Sequence, residues 1–157
     1  MCWPWLGLIV LLSGCATAAL DTRPPAPVEV AIQVIDNITL VAATVNGGPS
    51  ALLIVDTGAQ WTILTPRLLK RRGVVVPPDA PKRKIRVLGG QELDVPFVKI
   101  ATIGVGAATL TDQEVGVYEI EPSASAVDGV LGGDFLHRFR VTLDRAASRM
   151  RLEPLAR

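Results

Sequence analysis

Cysteine is nearly absent from this chain: of 157 residues only two are cysteine, Cys2 and Cys15, and both fall at the N-terminus. The remainder therefore offers no disulfide, no thiol nucleophile and no cysteine cluster for a metal. Histidine is equally scarce. His137 alone excludes a multi-histidine metal site and gives no support to a Ser-His-Asp arrangement, so it reads as a helix-surface or packing residue. An excess of one charge is also missing. Lys and Arg number 16 against 15 Asp and Glu, a net charge of +1, whereas binding to nucleic acid calls for a concentrated basic surface. Long apolar runs are lacking too: Trp3 to Leu12 is uncharged but too short to span a bilayer as an ordinary helix. No internal repeat is found. A length of 157 residues leaves room for one domain, large enough to bury a core without disulfides.

At the N-terminus stands a segment that reads as a signal peptide. Within it Leu12-Ser13-Gly14-Cys15 resembles the lipobox of bacterial lipoproteins, in which cleavage before the cysteine leaves Cys15 lipidated as the mature N-terminus. No Lys or Arg precedes the apolar run, and Ala16-Thr17-Ala18 offers an ordinary cleavage site as the alternative. The expected organisation is a signal peptide and lipobox over 1–15, a stiff tether over 16–28 containing Pro24, Pro25 and Pro27, and the folded domain over 29–157. Ala16 after the cysteine resembles outer-membrane sorting in Gram-negative cells. Membrane attachment through a lipidated Cys15, facing the periplasm, is the expectation. Simple secretion to the periplasm is the other.

The folded part reads as mostly β. Glu29 to Ile35 and Thr39 to Val45 have the Val, Ile and Leu density of strands, separated by Asp36-Asn37. Val45-Asn46-Gly47 ends the second in an Asn-Gly hairpin turn. Trp61 to Leu64 reads as a short strand, and Thr65-Pro66 supplies an N-cap and a first-turn proline for a helix that should stop at Gly73. Lys84 to Leu88 and Glu92 to Val95 flank Gly89-Gly90 as a hairpin. Phe97 to Ile103 and Thr109 to Ile120 surround a Gly104-Val105-Gly106 turn, and Arg140 to Leu143 with Arg149 to Leu152 form a last pair. Short strands with frequent turns and one or two helices predict a small closed β-barrel. Arg67, Lys70, Arg71, Arg72, Lys82, Arg83, Lys84 and Arg86 crowd the middle third. They read either as a solvated helix face and hairpin edge or as charges near a cleft that favour acidic substrates or anionic headgroups.

One run concentrates the chemistry. Leu53-Ile54-Val55-Asp56-Thr57-Gly58-Ala59 puts an acid, a hydroxyl and a glycine directly after apolar residues 51–55 that read as a buried strand. Asp56 would emerge at the strand end, Gly58 would suit the turn and expose an N–H near the acid, and the Thr57 hydroxyl can donate and accept. The stretch Leu53 to Leu64, LIVDTGAQWTIL, resembles the active-site signature of aspartic peptidases, and the short chain points to the retropepsin-like branch. Upstream, Val41 to Pro49 would return the chain antiparallel into the Asp56 strand. Downstream, Val127-Asp128-Gly129-Val130-Leu131-Gly132-Gly133-Asp134-Phe135-Leu136 is similar to the family's second hydrophobic-hydrophobic-glycine element, which packs beside the active-site loop and leads into a short helix.

The resemblance implies hydrolysis of peptide bonds in peptide or protein substrates with neither metal nor cofactor, and a Gly89-Gly90 hairpin acting as a flap over the cleft; the alternative is a plain surface hairpin. Family chemistry uses two carboxylates flanking one water, yet this chain carries a single Asp-Thr-Gly. Asp128 is the internal candidate for the second, but Asp128-Gly129-Val130 lacks the hydroxyl residue and reads as a loop. Asp56 from two copies should then meet in a homodimer, with Thr57 bracing the loops across the axis and the Gly58 N–H holding the carboxylate. Ala59, where a hydroxyl would favour the ionised carboxylate, suggests activity at less acidic pH than in relatives with serine. Trp61 either lines the cleft edge or packs in the core. A non-catalytic, peptide-binding or scaffolding envelope lipoprotein that keeps the fold is the competing reading.

Overall fold

The computed structural model describes residues 26–86, 90–120 and 126–155. Among the described residues, ten strands and two short helices follow one another. The first strands are β1 (Val28–Ile35), β2 (Ile38–Val45), β3 (Ala51–Val55) and β4 (Ile63–Leu64), after which comes α1 (Pro66–Arg71). Next are β5 (Lys82–Arg86), β6 (Glu92–Val105), β7 (Ala108–Val117) and β8 (Gly129–Leu131), then α2 (Gly133–Leu136) and the closing pair β9 (Phe139–Asp144) and β10 (Arg149–Pro154). The leader, Cys15 and most of the tether lie outside the described residues, as does Gly89 of the hairpin tip.

Strand order is β5-β6-β7-β4-β8-β3-β2-β1-β10-β9, and β6 also pairs with β2. That extra pairing, Thr44 with Gly104 and Val45 with Ile103, closes β2, β3, β8, β4, β7 and β6 into a ring. Alternation explains what fills it. In β2 the side chains of Val41, Ala43 and Val45 turn inward and are almost wholly buried, while Ala42 and Thr44 face out. Leu53, Leu64, Val105, Val115 and Leu131 meet them, and Leu68, Leu69, Phe135 and Leu136 from the helices complete the same core. Burying a leucine of this kind contributes on the order of 2 kcal/mol, so truncation at Leu53 costs more than any surface change.

Turn chemistry sets the registers. Asn46 and Gly47 have φ of 50° and 64°, the left-handed pair of a tight hairpin turn, closed by the Gly48 N–H on the Val45 carbonyl at 3.0 Å. The Asn46 side chain also accepts from the Thr102 N–H at 3.1 Å, which fastens this turn to β6. β3 then runs antiparallel to β2 over the expected residues, Ala51 to Val55. Thr65 caps α1 through its hydroxyl, accepting from the Leu68 N–H at 3.2 Å, with Pro66 at the helix start.

Several expectations change in extent: the strand expected over Thr109 to Ile120 is Ala108–Val117, and the one expected from Lys84 starts at Lys82. Glu92 to Val95 and Phe97 to Ile103 form one continuous strand of 14 residues, because Pro96 lacks an N–H yet its neighbours pair on both sides, Val95 with Arg83 and Phe97 with Gly116. The short strand expected over Trp61 to Leu64 is confined to Ile63–Leu64, since Thr62 spends its N–H on a side chain instead of a ladder.

Candidate active site

β3 lies in the sheet between β2, antiparallel to it, and β8, parallel to it, with Leu53, Ile54 and Val55 opposite Gly129, Val130 and Leu131. The Asp56 N–H still reaches the Leu131 carbonyl at 3.1 Å, so strand pairing persists up to the acid and ends there. Asp56, Thr57 and Gly58 are all exposed. The carboxylate is held from beneath: its Oδ1 accepts from the Gly58 N–H at 2.9 Å and the Ala59 N–H at 3.2 Å. Such charge-assisted bonds fix the direction of the group and leave Oδ2 free.

A second layer supports the loop. The first residues of α2 donate backward, Gly133 N–H to the Ala59 carbonyl at 2.8 Å and Asp134 N–H to the Gln60 carbonyl at 3.1 Å. The Asp134 carboxylate returns the contact, accepting from the Thr62 N–H at 2.9 Å, the Thr62 hydroxyl at 2.6 Å and the Phe135 N–H at 2.9 Å. The Thr62 oxygen in turn accepts from the Gly132 N–H at 3.1 Å. Gly132 has no alternative residue: a Cβ there would collide with the Trp61 backbone. Thr62 and Asp134 were not singled out from sequence. A hydroxyl inside the apolar Trp61–Leu64 stretch and an acid directly after two glycines were the available signals.

Asp128 is not part of this site. It sits just before β8, is 8% exposed, and accepts through Oδ2 from the Leu52 N–H at 3.3 Å. Its Oδ1 takes Arg71 at 2.6 Å and Arg67 at 3.5 Å. A carboxylate so engaged is a brace between α1, β3 and β8, not a free acid. The same contacts absorb much of the basic stretch. Arg72 donates to the Pro49 carbonyl, Arg83 pairs with Glu114, and Arg86 and Lys84 approach Glu92 at 3.2 and 3.9 Å.

β5 and the start of β6 form the predicted hairpin, with Gly90 at φ 82° on its described side. Its base is tied to the active-site segment. The Arg83 guanidinium lies over the Trp61 ring at 4.6 Å and the Phe97 ring at 4.3 Å, and the two rings meet edge to face at 5.7 Å. Trp61 is thus half-buried, serving as a packing platform for the hairpin arm. An open recess of about 490 Å³ is walled by Trp61, Lys99, Gln113, Glu114, Asp134 and Arg138 among others, and Asp56 is not in its wall. His137 is exposed and closes α2 through its backbone.

Fold and site together define an aspartic-type peptidase, a hydrolase built on the retropepsin-like plan. Residues 41–135, more than half of the chain, match the aspartyl protease family, and the chain belongs to that family. Among solved structures it is similar to a retropepsin-like aspartic protease from Rickettsia conorii. The TM-score is 0.61 at 17% identity, over 82% of this chain and 91% of that one. It also matches the retroviral protease-like domain of Ddi1 from Leishmania major, with a TM-score of 0.47 and 18% identity over 81% and 95% of the two chains. No curated protein matches its sequence.

Proposed function

We propose that this protein is an endopeptidase whose active site forms when Asp56 of one copy meets Asp56 of another. The observation that carries the reading is a single exposed carboxylate, held by the Gly58 and Ala59 N–H groups, beside a second glycine element whose own acid, Asp128, is already committed to Arg71 and Arg67. One Asp56 accepts a proton from a shared water, and the other, protonated, donates to the scissile carbonyl oxygen. The water oxygen bonds to the carbonyl carbon. The Asp56 that took the water proton then gives it to the amide nitrogen while the other, now ionised, takes a proton from a hydroxyl of the tetrahedral intermediate, so the C–N bond breaks and the pair returns to its starting state. Two carboxylates this close share one proton because both cannot ionise cheaply. The exposed Thr57 is available to brace the facing loop, and the Gly89-Gly90 hairpin is read as the flap.

Substrates are proposed to be peptides or proteins of a bacterial envelope, reached from a membrane-attached position. The basis is the leader-like segment before the domain and the Leu12-Ser13-Gly14-Cys15 sequence. Purified protein incubated with a peptide library, wild type beside Asp56→Asn, tests the activity by mass spectrometry of the products. Cleavage that disappears in the variant supports it, and cleavage unchanged by the variant overturns it.

A further inference from the structure

We propose that Arg83 is a positioning residue for substrate binding: its guanidinium clamps the β5–β6 hairpin to the segment that follows the catalytic loop and so sets where the hairpin stands over bound peptide. The inference rests on the reading of that hairpin as the flap and names the residue that fixes it. Among the described residues β5 is an edge strand paired only with β6, so its own ladder does not hold it to the rest of the molecule. Lys82, Lys84 and Arg86 are exposed, while Arg83 and Ile85 are half-buried on the other face. Lys84 and Arg86 pair with Glu92, across the same hairpin. Arg83 behaves differently. Among the described residues it is the one member of β5 whose side chain makes a polar contact outside the hairpin, an ion pair with Glu114 of β7.

Three elements meet at this guanidinium. Its centre lies 4.6 Å from the middle of the Trp61 ring and 4.3 Å from that of Phe97, while Nη2 donates to Glu114. Trp61 directly precedes Thr62, whose N–H and hydroxyl donate to the Asp134 carboxylate behind the catalytic loop. A flat cation resting on two rings set at 81° to each other, and anchored at one edge by a carboxylate, has little freedom to slide.

Stability is not what this arrangement chiefly supplies. The ion pair is partly exposed on both sides, 36% for Arg83 and 41% for Glu114, where such a pair adds little. Nη1 is buried with no hydrogen-bond partner among the described residues, which offsets part of what the stack contributes. What three ties on one rigid group do supply is a fixed geometry. A hairpin held in this way meets the peptide in place, whereas a released one must be ordered by the peptide at a cost in affinity. The Asp56 carboxylate and its two N–H donors are untouched by the clamp, so chemistry on bound peptide should be preserved.

Arg83→Met keeps an apolar stem and a polarisable sulfur against the rings, and leaves Glu114 in contact with water. In the full chain, at a concentration where specific activity has levelled, KM for a cleaved peptide should rise about tenfold or more with kcat within about twofold of wild type, at an unchanged melting temperature. β5, having lost its outward tie, should peel from β6 more often, so amide hydrogen exchange over Lys82–Arg86 and Glu92–Val95 should quicken about tenfold while Ala51–Val55 stays at wild type. Arg83→Lys, which has the charge without the flat fork, should share both effects. An unchanged KM in Arg83→Met, a fall in kcat in place of the rise in KM, or wild-type KM in Arg83→Lys overturns the proposal. So does a lowered melting temperature with KM at wild type, the mark of a merely structural residue. If the wild-type chain cleaves no peptide, the endopeptidase reading falls by itself and exchange decides the clamp: quickened exchange upholds it, and exchange at the wild-type rate removes it.

Discussion

Asp56 owes its placement to groups that carry no side-chain chemistry of their own, the N–H groups of Gly58 and Ala59 aimed at one carboxylate oxygen. Asp56→Asn keeps that oxygen as an acceptor, so the loop and the melting temperature should be unchanged while turnover falls by at least about 10²–10⁴, the range set by loss of acid–base catalysis. Initial-rate assays beside a thermal melt check both halves. Ala59 is the neighbour most open to change. A serine hydroxyl at that position could donate to the Asp56 carboxylate, so Ala59→Ser should move the pH–rate profile to lower pH. A profile that stays in place or moves upward counts against a donor role for residue 59. Two acids, Asp128 and Asp134, look alike on paper, each beside glycine in one short stretch. Only the fold separates them, because what distinguishes them is distance to Arg71 in one case and to Thr62 in the other.

α2 is short, Gly133–Leu136, yet it locks the catalytic loop from behind through Asp134 and Thr62. Thr62→Val removes the hydroxyl, leaving the buried Gly132 N–H without an acceptor and Asp134 without its shortest bond. A loss of about 1–3 kcal/mol is expected, with a fall in kcat larger than any change in KM. Denaturant titration and steady-state kinetics measure the two. Elements with local determinants were legible: the Asn46-Gly47 turn, the Thr65-Pro66 helix start and the Ala51 to Val55 strand follow from residues adjacent in the chain. Elements set by distant partners were not. Nothing near Pro96 indicates that Phe97 will be held by Gly116 and Val95 by Arg83, which is what carries β6 through the proline. Trp61 is similar: its packing depends on Arg83 and Phe97, remote in sequence.

For the molecule as a whole, a site assembled from two copies makes activity depend on concentration. Specific activity should fall on dilution below the dimer dissociation constant and recover on concentration, measured with a fixed excess of peptide; a constant value across that range would show that one copy suffices. The ends of the domain carry another consequence. Val28, Glu29, Val30 and Ala31 of β1 find their partners in Leu152, Arg151, Met150 and Arg149 of β10, nearly the full length of the domain away. The rest of β1 is held by β2 close by, so a hairpin can form early while its first half waits. Closing a loop of that length slows folding, and the parallel pairing of β3 with β8 adds another long-range step. Refolding should therefore show a fast phase from the local hairpins and a slower one that a stop after Ser148 abolishes, read by stopped-flow tryptophan fluorescence. On the ribosome the catalytic strand would be made early, yet it could acquire its β8 neighbour, and β1 its last partner, only once nearly all of the chain had emerged.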